Sequence, residues 1–116
     1  MITHWKTGQA PEAPFKAVIF ISVKREVKED YHKMDELLMN EVQNYEGFLG
    51  YSSISKTNQG IFISYWQTDE AIARWRDFNT HREAKSRAPK AWYSYYHSMI
   101  CTVESSRVFE EMTKAL

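Results

Sequence analysis

Residues 15–24 read FKAVIFISVK and carry the clearest structural pattern of the chain. Its odd-numbered positions are all apolar, which is the period-two pattern of a β-strand with one fully buried side. Its even-numbered positions begin and end with lysine but carry Val18 and Phe20 in the middle. The strand is therefore predicted to be apolar on both faces over its central part.

Three further segments alternate in the same way as residues 15–24. Residues 48–55, 61–66 and 93–103 each place apolar and polar side chains at period two. The polar segment Lys56-Thr57-Asn58-Gln59-Gly60 separates the first two of them and predicts a hairpin turn.

Two regions have helical spacing instead. One is predicted to begin at Asp30 as its N-cap and to end at Gly47 as its C-cap. The other begins at Thr68 or Asp69, and Asn79 is expected to interrupt it, because residues 80–83 have the pattern of a fresh capping box. Residues 107–116 suggest a short terminal helix.

The resulting order is β-α-β-β-α-β, which predicts an α+β, ferredoxin-like fold with a four-stranded antiparallel sheet and both helices on one face. The 116 residues suffice for one domain. We assign residues 15–116 to that domain. Residues 1–14 contain Gly8, Pro11 and Pro14 and are expected to form an irregular arm.

The second face of this sheet predicts a homodimer. Two helices cover one face only, yet both faces carry apolar side chains, among them Phe20, Trp66 and Met99. The same face of a second copy is the simplest cover, which gives a dimeric α+β barrel. The alternative is a monomer whose N-terminal arm and terminal helix fold over the sheet.

Composition excludes several functional classes. Fifteen basic residues balance fifteen acidic ones, so we expect no nucleic-acid partner. The longest apolar run, residues 17–21, is too short to span a membrane, and residues 1–14 hold no apolar signal core. The single cysteine, Cys101, excludes an internal disulfide, which favours the cytoplasm, and no zinc-ligand spacing occurs.

The chain is rich in aromatic residues, which bears on its function. Aromatic residues make up 15% of the chain. Such an excess supplies a core, an interface or a pocket for a flat ligand.

Several short motifs together resemble the antibiotic biosynthesis monooxygenase superfamily, over residues 15–108. They are Ile63-Ser64-Tyr65-Trp66, Asp69-Glu70-Ala71-Ile72, Trp75-Arg76, His81-Arg82-Glu83-Ala84 and Trp92-Tyr93. The resemblance is strongest to its small, uncharacterised bacterial branch. It implies the same dimeric fold and a pocket between sheet and helices for a flat aromatic molecule and O₂.

Characterised members of that superfamily include cofactor-free oxygenases of aromatic polyketides and quinols, and haem-degrading monooxygenases. The resemblance therefore implies either no cofactor or, as the alternative, haem. Haem-degrading relatives carry an Asn on the first strand, and residues 15–24 contain none. Trp75 matches their helix Trp, but His81 falls four residues before the expected axial position, near Lys85.

His81 is the candidate catalytic residue, as a base or hydrogen-bond donor, because imidazole serves both roles near neutral pH. Trp66, Trp75, Tyr96 and Phe20 are the candidate ligand-binding residues. Trp66 and Trp75 also suit a plain core, and Tyr96 a cross-strand aromatic ladder. We expect no bound metal.

The leading hypothesis is a cofactor-independent monooxygenase that acts on a small aromatic or quinone-type molecule. Two alternatives remain open: a non-catalytic homodimer that binds a small ligand, and a haem-binding or haem-degrading monooxygenase with His81 or His97 as axial ligand.

Overall fold

The structure is a computed structural model that describes residues 2–25, 39–86 and 93–111, with residues 79–86 described in their backbone alone. The described strands are β1 (Thr3–Trp5), β2 (Phe15–Lys24), β3 (Phe48–Lys56), β4 (Gln59–Trp66) and β5 (Tyr93–Val103). Residues 39–42 are helical and are called α1 here. The helix Asp69–Ser86 is called α2.

The strands form a single antiparallel sheet in the order β1-β3-β4-β2-β5. Strand β2, the strand of residues 15–24, lies between β4 and β5 and pairs with both. Without β1, this is the order of the ferredoxin-like sheet, so the predicted α+β fold class is confirmed.

The sheet has five strands where four were predicted, because Thr3–Trp5 pairs with β3. The expectation of an irregular arm is therefore wrong for these three residues. Gly50, which lies opposite Trp5, permits the close approach: a Cβ there would lie 2.5 Å from the His4 carbonyl oxygen.

Helix α2 begins at Asp69, one of the two start positions that the sequence predicts. The Thr68 hydroxyl accepts a hydrogen bond from the Ala71 amide at 3.1 Å, so Thr68 is the N-cap. Asp69 and Glu70 follow in the first turn, where negative charge complements the helix dipole.

The predicted interruption of α2 at Asn79 is wrong, because the helix runs unbroken to Ser86. Asn and Thr in a helix interior cost only a few tenths of a kcal/mol each relative to better helix formers. That cost is smaller than the cost of ending one helix and nucleating another.

Two other predictions lie partly outside the described residues. The start of the first helix at Asp30 lies outside them, and the described part ends at residue 42, with tight turns continuing to Gly47. Gly47 has a φ of 88°, which favours glycine. Residues 107–111 are not helical, contrary to the predicted terminal helix, and residues 112–116 lie outside the described range.

Candidate functional site

The strand register assigns every side chain of the sheet to one of two faces. Residues directly opposite each other in an antiparallel pair share a face, and neighbours along a strand alternate. Trp66 is opposite both Lys16 and Phe48, and α2 packs on it, so their side is called the helix face. The other side, which carries Ile19, Ile61 and Tyr95, is called the open face.

Trp66 is the centre of the core on the helix face. Its side chain is 0% exposed, and its cluster also contains Val42, Phe48, Ala71 and Ile72. The Phe48 ring meets the Trp66 ring edge-on with centroids 5.4 Å apart. Trp66 is thus held by α1, α2 and β3 together.

Trp75 extends this core along α2. Its ring lies 6.4 Å from that of Trp66, stacks on Phe78 at 5.5 Å, and meets Tyr45 edge-on at 4.9 Å. The two predicted tryptophans therefore lie side by side.

Phe20 and Tyr96 form a second aromatic group on the same face. Their centroids are 5.5 Å apart, and Tyr93 closes the group at 5.4 Å from Phe20 and 6.0 Å from Tyr96. The Tyr96 side chain is half exposed. The structure thus brings together Phe20 with Tyr96, and Trp66 with Trp75, as two separate pairs.

Aromatic side chains on β3 and β4 join the site, and the sequence analysis missed them. Phe62 lies directly opposite Phe20, and Tyr51 stacks on Phe62 with centroids 5.8 Å apart. His4 on β1 packs in turn on Tyr51 at 4.9 Å. The helix face therefore carries an aromatic row across all five strands, called the aromatic row here and made of His4, Tyr51, Phe62, Phe20, Tyr93 and Tyr96.

A buried hydroxyl separates the aromatic row from the tryptophans. Ser64 lies between Phe62 and Trp66 on the same face of β4 and is 9% exposed. The Trp66 indole donates a hydrogen bond from Nε1 to Ser64 Oγ at 2.8 Å. Alternation along β4 was enough to place positions 62 and 64 beside Trp66, but nothing in the sequence marks this hydrogen bond.

His81 lies in the interior of α2 and not at a helix start. Because each residue of an α-helix turns by about 100°, position 81 lies about 180° around the axis from buried Ile72. The fresh helix start that residues 80–83 predicted beside His81 is therefore absent. Its side chain lies outside the described part of the structure.

Among the described residues, Trp5 covers one corner of the open face. Trp5 covers Tyr65 at 4.6 Å and Phe15 at 6.4 Å. A line of hydroxyls runs beneath it: Thr3 Oγ1 to Ser52 Oγ, and Ser52 Oγ to the Tyr65 hydroxyl, each at 2.8 Å. Away from this corner, Ile54, Ile61 and Tyr95 are exposed.

Charged groups contribute little to the described site. The Lys16 ammonium lies at the end of the helix face, where it donates to the Thr102 hydroxyl at 2.9 Å and pairs with Asp69 at 3.6 Å. No cluster of metal-ligating side chains occurs within residues 2–25, 39–78 and 93–111. Over the same described part of the chain, no helix has the length and hydropathy that crossing a bilayer requires.

Comparison with known proteins agrees with the fold and the family resemblance. A profile of the family described as antibiotic biosynthesis monooxygenase matches residues 14–87. YqjZ, an uncharacterised protein of Bacillus subtilis, is 36% identical over 107 residues, which covers 91% of this chain and 94% of that protein.

Two further similarities are to proteins with a named activity. A jasmonate monooxygenase of Pyricularia oryzae is 28% identical over 79 residues, which are 66% of this chain but only 37% of that protein. A crystal structure of a variant of SnoaB, a cofactor-independent oxygenase of Streptomyces nogalater, superposes with a TM-score of 0.60. The match covers 85% of this chain and all of that one, at 13% identity, so it establishes the shared fold alone.

The profile spans more than half of the chain, and the Bacillus relative matches along nearly all of it. With the ferredoxin-like sheet order and the aromatic helix face, these matches establish that the chain belongs to the antibiotic biosynthesis monooxygenase family.

Proposed function

We propose that this protein is a cofactor-independent monooxygenase that acts on a small aromatic or quinone-type molecule and works as a homodimer. Family membership supports an oxygenase, and the likeness to SnoaB supports a reaction without a cofactor. The observation that carries the proposal is the aromatic row on the helix face, centred on Phe20, Phe62 and Tyr96.

The aromatic row suits a flat ligand. Ring pairs in proteins prefer centroid separations of about 4.5–7 Å. The Phe20–Tyr96, Phe20–Tyr93 and Tyr51–Phe62 pairs lie in that range, so a planar substrate that packs on Phe20 and Tyr96 adds one more ring contact of the same kind. Trp66 and Trp75 form the apolar wall at the other end of the helix face.

The reaction draws its electrons from the substrate. A base removes a proton from an acidic CH₂ group next to an aromatic or carbonyl system, and the resulting carbanion reduces O₂. One oxygen atom becomes a carbonyl oxygen on that carbon, and the other leaves as water with the two hydrogen atoms that the carbon loses. The protein supplies a base, a hydrogen-bond donor and an enclosure that keeps bulk water away.

His81 is the proposed base or hydrogen-bond donor. It lies on α2, the helix that carries Trp75, but about 180° around the axis from buried Ile72, so its proposed role rests on imidazole chemistry and not on its position. A general base contributes roughly 10²–10⁴-fold to a rate. His81→Ala is therefore expected to lower turnover by roughly 10²-fold or more.

The homodimer follows from the open face. Exposed Ile54, Ile61 and Tyr95 surround Ile19 and Ile21, which are only partly covered by the chain. Apolar area removed from water contributes about 25 cal/mol per Å², so a second sheet packed on this face stabilises the pair.

The test is O₂ consumption by the purified protein over a panel of anthrone-type and quinol compounds. The expected result is turnover without added metal, flavin or haem, reduced roughly 10²-fold in His81→Ala. Arg76→Ala is the control, because Arg76 is an exposed basic residue of the same helix. Equal turnover in His81→Ala removes His81 from the mechanism.

A haem titration separates the alternatives. A stoichiometric Soret band that His81→Ala or His97→Ala abolishes would replace the proposal with haem chemistry. Binding of aromatic compounds with no O₂ consumption over the whole panel would leave a non-catalytic binding protein.

A further inference from the structure

We infer that Ser64, oriented by Trp66, is the hydrogen-bond donor that selects aromatic ligands with a carbonyl or enolate oxygen. This inference rests on the proposed function, because it places a ligand on the helix face. It adds the residue that recognises the ligand's oxygen.

Ser64 already makes one hydrogen bond, with the Trp66 indole. Trp66 Nε1–H is a donor only, so at 2.8 Å Ser64 Oγ must be the acceptor. One acceptor position of the hydroxyl is thereby used, and its own proton cannot point back at the indole. The Ser64 hydroxyl is therefore left as a donor directed away from Trp66.

The proton of the Ser64 hydroxyl has no acceptor in the described part of the chain. Ser64 Oγ accepts from Trp66, and no described residue accepts the Ser64 proton. The side chain is more than nine-tenths buried. Unused hydrogen-bonding capacity in a buried hydroxyl calls for an explanation, and at a candidate site a ligand oxygen supplies one.

The Ser64 hydroxyl lies at one end of the aromatic row. On the helix face, Ser64 is flanked by Tyr51 on β3 and Val18 on β2, and Phe62 follows about 7 Å along β4. A flat ligand that packs on Phe62 and Phe20 brings a ring oxygen to the Ser64 end of the aromatic row. The same oxygen carries negative charge once the substrate is deprotonated.

Trp66 acts in this arrangement as a positioning residue. Its ring is fully buried by α1, α2 and β3, so its Nε1 is fixed relative to the sheet. A fixed donor on one side of Ser64 Oγ reduces the rotational freedom of the hydroxyl. A preoriented donor loses less entropy when the ligand binds.

A matched pair of flat probes, 9-fluorenone and fluorene, tests the inference. They share one tricyclic skeleton and differ by a carbonyl against a CH₂ group. Equilibrium dialysis of each against the full chain is done without O₂, so that the CH₂ group of fluorene cannot be oxidised to the carbonyl of fluorenone. The ratio of the two affinities cancels any general loosening of the site. Wild-type protein is expected to prefer fluorenone about tenfold, the ratio that one hydrogen bond of ordinary strength gives.

Ser64→Ala is expected to abolish the preference for fluorenone over fluorene, with fluorene binding retained. Ser52→Ala is the control, because Ser52 is 8% exposed, makes hydroxyl hydrogen bonds and lies on the neighbouring strand, but faces the open side. It is expected to keep the wild-type preference. If Ser64→Ala does not fold, Ser64→Cys gives the same comparison, because a thiol is a weak donor.

Trp66→Phe tests the positioning role with the same ratio. The ring is retained but Nε1–H is lost, so the fluorenone preference is expected to fall while fluorene still binds. An unchanged preference in Ser64→Ala overturns the inference and leaves the proposed function standing. Absence of binding by both probes to the wild-type protein overturns the proposed function and the inference together.

Discussion

The helix face and the open face of the sheet are built from the same alternating strands, yet they differ in how the chain covers them. On the helix face, Trp66 is completely buried and Ser64 nearly so. On the open face, Trp5 covers one corner, and Ile54 and Ile61 remain exposed.

Tyr95 and Tyr96, two neighbouring residues of β5, illustrate how the faces differ. Tyr95 is 53% exposed and Tyr96 is 54% exposed, so exposure does not distinguish them. Tyr95 lies opposite Val23 on the open face, among aliphatic side chains, whereas Tyr96 packs with Phe20 and Tyr93 on the helix face. The surrounding side chains, rather than exposure, separate an expected dimer contact from a ligand contact.

The largest expected effect comes from opening the helix face. Trp66→Ala removes a fully buried indole and is expected to lower the free energy of unfolding by about 3–5 kcal/mol. The measurement is denaturant unfolding at one fixed protein concentration. Ile100→Ala, an exposed position on the same face, is expected to stay within about 0.5 kcal/mol of wild type. Equal losses in both variants would mean that the core is not centred on Trp66.

The next effect concerns the proposed dimer and is confined to the open face. Ile61→Glu is expected to weaken dimerisation by roughly 10²-fold or more, because an unpaired charge buried at an interface costs about 3–5 kcal/mol. Analytical ultracentrifugation over a dilution series measures the dissociation constant.

Ile100→Glu is the matched control for this variant. Ile61 is 43% exposed and Ile100 is 48% exposed, but they lie on opposite faces. Only Ile61→Glu is expected to give monomers. A dimer that persists in Ile61→Glu and dissociates in Ile100→Glu would place the interface on the helix face and leave the ligand without a site there.

Strand positions were predictable because they depend on local alternation. The predicted bounds 15–24 and 93–103 are those of β2 and β5, and both hairpin strands are within two residues of the prediction. A period of two leaves a clear signal over eight or more residues. Three residues are too few for that signal, so β1 was missed: its partner is about fifty positions away.

The candidate site was predictable only in part. Phe20, Trp66 and Tyr96 lie on the helix face and Trp75 packs beside Trp66 from α2, but the sequence does not reveal that they form two pairs with Ser64 between them. That grouping depends on register across β2, β4 and β5, which no local pattern encodes. The role of His81 stays a prediction, and the helix start predicted beside it is replaced by the interior of α2.

The smallest expected effect tests the corner of the open face that Trp5 covers. Tyr65→Phe removes the hydroxyl that is hydrogen-bonded to Ser52 Oγ at 2.8 Å, under Trp5. Ser52 keeps Thr3 as a partner, so the expected loss in unfolding free energy is only about 0.5–1.5 kcal/mol. Tyr95→Phe removes an exposed hydroxyl from the same face and is expected to change the free energy of unfolding by less than about 0.5 kcal/mol. Equal small changes in the two variants would mean that β1 is secured by its backbone pairing and by Trp5 packing, with no contribution from the line of hydroxyls.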